Sequence, residues 1–409
     1  METIIGRDIK DKETYGSRGA IDIGKSLAGE GEDIHLTTPV MLDIVRPHVI
    51  TICGKRGEGK SYSMGTIAEG LQNAPREIKD RLCTIIIDTQ GVFWTMKTPN
   101  EKETALLHEW GETVRGFPAF VYVPEGQAKA FSAAGVDHDG VLSLAPQELT
   151  QEDWLATFNL SPVSPLGSLL QLVIGKMSSP FGIDDIIRAL REERGFEHEK
   201  IALEGMLENA KAWGIFGNAG MPPFLAPGKL SVLDFSLTSQ NVRSLLVAVI
   251  ARKIFAERTA ARRREEIGEM EFSEGSGVPL PWILIDEAHN FLPADASSPS
   301  SEILSKIVKE GRQPGISLVL ATQRPMKLHP DALSQCDIII SHRLTAENDV
   351  DSLKSIMQTY VLFNIAKYIN ELPKLKGSAI ILDDDSERIY KIRIKPRQSW
   401  HAGASARAL

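Results

Sequence analysis

Cysteine is scarce in this sequence: three residues in 409, Cys53, Cys83 and Cys336, lie far apart, each in or beside an apolar run. No CxxC pair or Cys/His cluster accompanies them, which excludes a disulfide scaffold and a structural zinc site. Long apolar stretches are missing too. None reaches the ~18 residues that mark a membrane-spanning helix, and the opening METIIGRDIKDKETYGSRG carries charges where a signal peptide needs an apolar core. The expectation is a cytoplasmic protein without a membrane partner. Nor is there an excess of positive charge: 46 Lys and Arg against 54 Asp and Glu leave a net charge of -8. Contact with nucleic acid therefore has to come from a few basic loops, converging in a ring. Internal repeats and low-complexity tracts are absent. What is present, 42% hydrophobic and 24% charged residues, is the composition of an ordinary globular chain, long enough for two or three domains or one motor-sized domain with an insertion.

From His48 onward, apolar runs of strand length recur with helical patterns between them: HVITIC (48–53), LCTIIID (82–88), AFVYV (119–123), LSVLDF (230–235), WILID (282–286), ISLVLAT (316–322) and CDIIIS (336–341). Runs apolar on both faces are central parallel strands covered by helices, so the fold class is α/β. Residues 1–45 are polar and Gly-rich, with one short strand expected at Val40–Val45, and form a small β-rich lead-in. Residues 46–149 and 217–376 read as the two parts of the α/β core. Between them, 150–216 turns helical, opening on Thr150 and Asp153 in a capping-box arrangement. A long helix is expected from Thr238 to about Glu266, ending in Arg262, Arg263 and Arg264 as a solvated basic end. The tail 377–409 begins with a hairpin turning at Asp383–Ser386. Its KIRIKPR run alternates Lys391, Arg393 and Lys395 on one face of a solvated edge strand.

The strand HVITIC is followed by Gly54-Lys55-Arg56-Gly57-Glu58-Gly59-Lys60-Ser61 and then by a helical pattern. This is G-x-x-x-x-G-K-S in its strand–loop–helix context. Glycines let backbone N–H groups wrap phosphates, a lysine reaches the β/γ-phosphates, a serine ligates Mg²⁺, and the helix start favours an anion. The nucleotide is thus expected on Gly54, Gly57, Glu58, Gly59, Lys60, Ser61 and Tyr62. The strand WILID ends in Asp286, suited to hold Mg²⁺ through water, and Glu287, suited to polarise the attacking water. A third strand, ISLVLAT, delivers Gln323 at the end where ligands of open α/β sheets sit, poised for the γ-phosphate. Asp88, ending LCTIIID, is a supporting acid at second rank around Mg²⁺. His289 reads as a helix-start residue packed beside the site. An Asn/Thr-Lys-x-Asp motif that reads guanine is absent, which favours ATP.

The combination of GKRGEGKS, IDEAHNFLP, KEGRQPGISLVLATQRP and LHPDALSQCDIIISHRL resembles the HerA branch of the HerA/FtsK ATPases, across most of residues 48–345. The resemblance implies a RecA-like P-loop core, a homo-hexamer with ATP sites between subunits, and movement of double-stranded DNA. It also implies that Arg312, in Glu310-Gly311-Arg312, is an arginine finger reaching the neighbouring subunit's site, with Arg324 and Arg46 as lesser candidates. Two departures mark a short, divergent paralogue. HerA proteins usually begin with a complete β-barrel that docks a NurA-type nuclease, the remaining partner the resemblance implies, whereas here only the lead-in precedes the P-loop strand. The family's Asp-Pro-x-Gly-Glu-Tyr-like block stands here as Asp88-Thr89-Gln90-Gly91-Val92-Phe93, so only Asp88 carries over. The function expected is a Mg²⁺-dependent ATPase and DNA translocase in repair or end processing. The competing readings are an ATP-binding oligomeric switch or scaffold, and a DNA-transfer motor of the conjugation type.

Overall fold

The computed structural model describes residues 3–29, 33–271, 277–344, 349, 353 and 365–403. Its core is a 13-stranded sheet. Eight strands, forming one side of it up to the edge, are mutually parallel, in the order β11 (Ile338–Ser341), β4 (Val49–Cys53), β10 (Ser317–Thr322), β9 (Leu280–Ile285), β5 (Leu82–Asp88), β8 (Leu230–Asp234), β6 (Ala119–Pro124) and β7 (Gly140–Leu142). Every residue of β5, β8 and β10 is buried, as strands covered on both faces must be. The seven apolar runs all become strands of this set, and the fold is that of a P-loop ATPase. The three-residue β7 has too little pattern to be read from sequence.

Beyond β11 the sheet turns antiparallel. The expected hairpin forms as β12 (Ser378–Asp383) and β13 (Arg388–Ile394). Next come β2 (Ala20–Ala28) and β3 (His35–Asp43), and finally β1 (Thr3–Ile5), which runs parallel to β3. Two expectations are corrected here. The Gly-rich lead-in holds two nine-residue strands instead of the short one at Val40–Val45. Gly24 is needed inside β2 because a Cβ there would lie 2.3 Å from the Arg393 carbonyl of β13. For the same reason β13 is no edge strand, since β2 pairs along it. Its basic face is spent within the chain: Lys391 pairs with Glu371 at 2.9 Å, Arg393 lies over Trp110, and Lys395 pairs with Glu112 at 2.5 Å.

Four helices, Gln151–Phe158, Pro165–Gly175, Ile183–Glu192 and Glu197–Lys211, occupy the stretch read as helical. Thr150 Oγ1 accepts from Asp153 N at 3.1 Å and Asp153 Oδ2 accepts from Thr150 N at 2.8 Å, the reciprocal cap expected. Asp153 also pairs with Arg252 at 2.5 Å, which ties these helices to the long helix Gln240–Glu271. At that helix's far end Arg262 reaches Glu265, Glu266 and Glu269, so its charge is neutralised locally.

The N-terminal strands are fastened to the parallel core by a buried chain of charges. Arg7 Nε donates to Asp43 Oδ1 at 2.7 Å, and His48, just before β4, lies 3.2 Å from Asp43 Oδ2 and 2.5 Å from Asp337 Oδ2. Burial opposes a charged imidazole, but hydrogen bonds to Asp337 and Asp43 outweigh it and push His48 up from 6.5 to about 9. A folded-state value above the unfolded one means that the stabilisation is complete below about pH 6.5 and is lost as pH rises toward 9. The shift corresponds to about 3 kcal/mol. Urea midpoints should therefore fall between pH 6 and pH 9 more steeply in the native chain than in His48→Gln; parallel declines would show that His48 does not carry the effect.

Candidate functional site

Parallel register brings the chemistry to one end of the sheet. Thr322 of β10 and Ser341 of β11 both stand opposite Cys53, the last residue of β4. The P-loop therefore leaves β4 flanked by Gln323 on one side and His342 on the other. Beside β10, β9 ends at Ile285 and presents Asp286 and Glu287. The loop closes on the helix Lys60–Asn73, with Gly57 and Gly59 at φ values of 82° and 114°, a region that side chains disfavour. Lys60 is buried and donates to the Lys55 carbonyl at 3.2 Å. Burial pulls its pKa down, while Glu287 and Asp286 pull it back up. Glu58 is half-buried on the loop, beside exposed Lys55 and Arg56.

Ser61 Oγ donates to Asp286 Oδ2 at 3.1 Å. Burial first, then the neighbouring Glu287 charge, raises Asp286 to about 6. Glu287 sits in the left-handed region at φ 51°, which swings its carboxylate toward the end of β10. There Gln323 Nε2 donates to its Oε1, and its buried Oε2 accepts no hydrogen bond among the described residues, with His289 Nδ1 at 3.5 Å. His289 also meets Thr322 Oγ1 at 3.0 Å and loses basicity, chiefly through burial. Two acids thus converge on one buried lysine with one carboxylate oxygen unfilled, a donor set that fits Mg²⁺. Among the described residues no cluster of three or more His, Cys, Asp or Glu forms a metal cage. A cation here would share its ligands with phosphates and water, as Mg²⁺ commonly does.

The remaining sequence-derived residues are engaged as follows. Asp88 has both oxygens filled by four backbone N–H groups of the loop behind it, from Gln90 at 3.0 Å, Gly91 at 2.8 Å, Val92 at 2.8 Å and Phe93 at 2.7 Å. Its visible role is to shape that loop, in place of a free ligand near Mg²⁺. Burial and the Asp234 charge beside it raise it to about 7. Tyr62 Oη donates to Glu103 Oε2 at 2.9 Å. Arg324 is exposed at the Gln323 end of β10, beside Thr322. Arg46 lies before β4, at the other end of the sheet, committed to Asp8 at 3.2 Å and to Asp385. That commitment removes Arg46 as a finger. Arg312 is exposed in the turn ahead of β10 and makes no side-chain hydrogen bond or ion pair among the described residues. The turn is held from behind by buried Arg258, whose Nε donates to the Pro314 carbonyl at 2.9 Å.

Sequence reading missed His342. It is fully buried at the end of β11, and burial lowers it to about 4, so it is neutral. The Ser378 carbonyl can only accept, so Nδ1 donates to it at 3.0 Å and Nε2 accepts from Ser63 Oγ at 2.8 Å. The ring thereby ties the P-loop helix to β12 and fills the space under the loop. A polar residue directly after an apolar strand was the only signal available.

No family model matches the chain. Among curated proteins, it is 32% identical over 144 residues to the DNA double-strand break repair helicase HerA of Pyrococcus furiosus, a match covering 31% of this chain and 26% of that protein. It is 40% identical over 67 residues to a probable HerA of Methanocaldococcus jannaschii, covering 16% of this chain and 13% of that protein. The chain thus matches about a quarter or less of the length of these relatives. Among solved structures, VirB4 of Thermoanaerobacter pseudethanolicus superposes with a TM-score of 0.57 at 13% identity, over 92% of this chain and 96% of that one. At that identity the likeness is one of fold. The chain is similar to HerA helicases in sequence, in the branch its four motifs resemble, and to VirB4 in architecture.

The contact between His342 and the loop generates a test. A Cβ at Gly54 would lie 2.7 Å from His342 Cβ, so Gly54→Ala should cost about 1–3 kcal/mol through overpacking. Adding His342→Ala should return part of that loss. Urea denaturation of the two single variants and the double variant reads the coupling, and strictly additive effects would show that the two residues do not meet.

Proposed function

We propose that this chain is a Mg²⁺-dependent ATPase that assembles as a homo-hexamer and translocates double-stranded DNA, acting in genome repair or end processing. The observation that carries the reading is the convergence of Lys60, Ser61, Asp286, Glu287 and Gln323 at one end of three adjacent parallel strands. The similarity to HerA helicases supports the DNA-handling part.

In this reading the amides of the P-loop and the Lys60 ammonium bind the triphosphate, and Ser61 and Asp286 hold Mg²⁺, Asp286 through water. A Mg²⁺ ion held by these two residues would supply positive charge against the phosphates. Glu287, freed from Gln323, orients the attacking water and accepts its proton, while Gln323 turns its amide to the γ-phosphate. Arg312 cannot serve its own site: the six-residue β10 separates it from Gln323 by roughly 20 Å, at about 3.3 Å per residue. An exposed guanidinium on a turn anchored by Arg258 suits delivery into a neighbour's site, where trans arginines contribute about 10³–10⁵ in rate.

Lys60→Ala should lose ATP affinity. Glu287→Gln should bind ATP normally and turn over at least ~100-fold more slowly, the range expected for loss of a general base. Steady-state ATPase and equilibrium binding check both, and near-normal turnover in Glu287→Gln would remove Glu287 as the base. Mixed assemblies test the finger. Combining Arg312→Ala with Lys60→Ala subunits should restore part of the activity absent from each alone, because some interfaces then pair intact Lys60 with intact Arg312. A mixture that assembles but stays inactive would refute a trans role. Stimulation of the ATPase by linear duplex DNA, measured alongside native mass, tests the motor itself.

A further inference from the structure

The helix after the P-loop is crossed, one turn from its start, by residues 395–403. This crossing is built in. Buried Arg397 donates through Nε to Glu69 Oε1 at 2.9 Å and through Nη2 to Ser399 Oγ at 2.8 Å. Gly65 makes room for it, since a Cβ there would lie 2.6 Å from the guanidinium. Glu69 also accepts the amides of Gln398 and Ser399, at 2.8 and 3.2 Å. Trp400 is fixed by its amide to Thr98 O at 2.8 Å and by its carbonyl to Thr95 Oγ1 at 2.9 Å. The segment is thereby rigid up to the point where half-buried His401 places its ring edge-on to Tyr62, with centroids 5.4 Å apart. The Tyr62 hydroxyl accepts the Arg397 amide at 2.7 Å, so the tyrosine is part of the same clamp.

We infer that Tyr62 and His401 form the wall that receives the nucleoside part, base and ribose, of the nucleotide whose phosphates lie in the P-loop. The inference rests on the triphosphate reading above. The γ end of the triphosphate is set by Glu287 and Gln323. The first intrahelical bond is Ser63 N to Gly59 O at 2.8 Å, so the amides of Lys60, Ser61 and Tyr62 have no helical acceptor and face the phosphates. Tyr62 is the last of them, and the nucleoside therefore emerges on its side, where His401 stands. The tautomer of His401 follows from its neighbour. A guanidinium only donates, Arg397 Nη1 is 3.2 Å from His401 Nδ1, and burial followed by the Arg397 charge lowers the ring to about 4. The imidazole is neutral, Nδ1 accepts, and Nε2 carries the proton. Among the described residues Nε2–H has no hydrogen-bond partner, and it offers a donor to a ring nitrogen of the base or to a ribose oxygen.

Isothermal titration of the full-length chain with MgATP and, separately, with Mg²⁺ and inorganic tripolyphosphate tests this. His401→Ala should weaken MgATP about tenfold and leave tripolyphosphate unchanged. His401→Phe, which keeps a ring against Tyr62 but not the donor, should weaken MgATP at least about threefold in the same selective way. Unchanged tripolyphosphate binding also certifies that each variant is folded. Equal weakening of both ligands, or of neither, would overturn the assignment while leaving the phosphate site standing. A native chain that binds neither ligand would overturn the triphosphate reading, and this inference with it.

Discussion

The parallel pairing of β4 between β10 and β11 is the constraint on which the rest depends. It fixes Cys53 level with Thr322 and Ser341, and so decides which residues follow each strand into the same space. A shift of one position would exchange the faces of a strand buried on both sides and send Gln323 or His342 away from the loop. The cost of keeping this register is met by apolar burial along β4, β5, β9 and β10, whose residues are almost all inaccessible to water. Charge then collects only where the strands end. Lys60, Asp286 and Glu287 are held in a poorly hydrated setting, in which electrostatic contacts are stronger than in water.

The charged groups at the two ends of the sheet behave differently. At the P-loop end the acids are under-compensated: Asp286 is raised to about 6, and Glu287 keeps a bare oxygen. At the opposite end His48 is matched by two carboxylates and Arg7 by Asp43, so the charges there balance within the fold. Imbalance marks the end that awaits a ligand, and balance marks the end that joins strands.

Much of this was legible in the sequence because the signals were local. A run such as LCTIIID announces a buried strand by itself, and GKRGEGKS announces its loop by glycine spacing. Asp286 and Glu287 could be placed at one end of the sheet because the end of a strand fixes where the next two residues go. What escaped depended on partners distant in sequence. The strand β2 went unread in the Gly-rich lead-in because nothing nearby reveals that the Arg393 carbonyl approaches Gly24. Lys391, Arg393 and Lys395 looked solvated because Glu371, Trp110 and Glu112 lie on other elements. The four backbone amides that fill the Asp88 carboxylate leave no trace in a motif. His342 is the clearest case, for its importance lies entirely in Ser63, Ser378 and the missing side chain of Gly54.

The ladder between β2 and β13 joins Gly24 to Ile394, residues separated by most of the described sequence. Contacts of such separation form late, since a long loop must close before they contribute. During synthesis β2 and β3 therefore wait as an unpaired ribbon until β13 has left the ribosome. Arg397, which clamps the P-loop helix, follows β13 by three residues. The phosphate-loop end and this seam of the sheet are therefore completed together, once residue 397 has emerged.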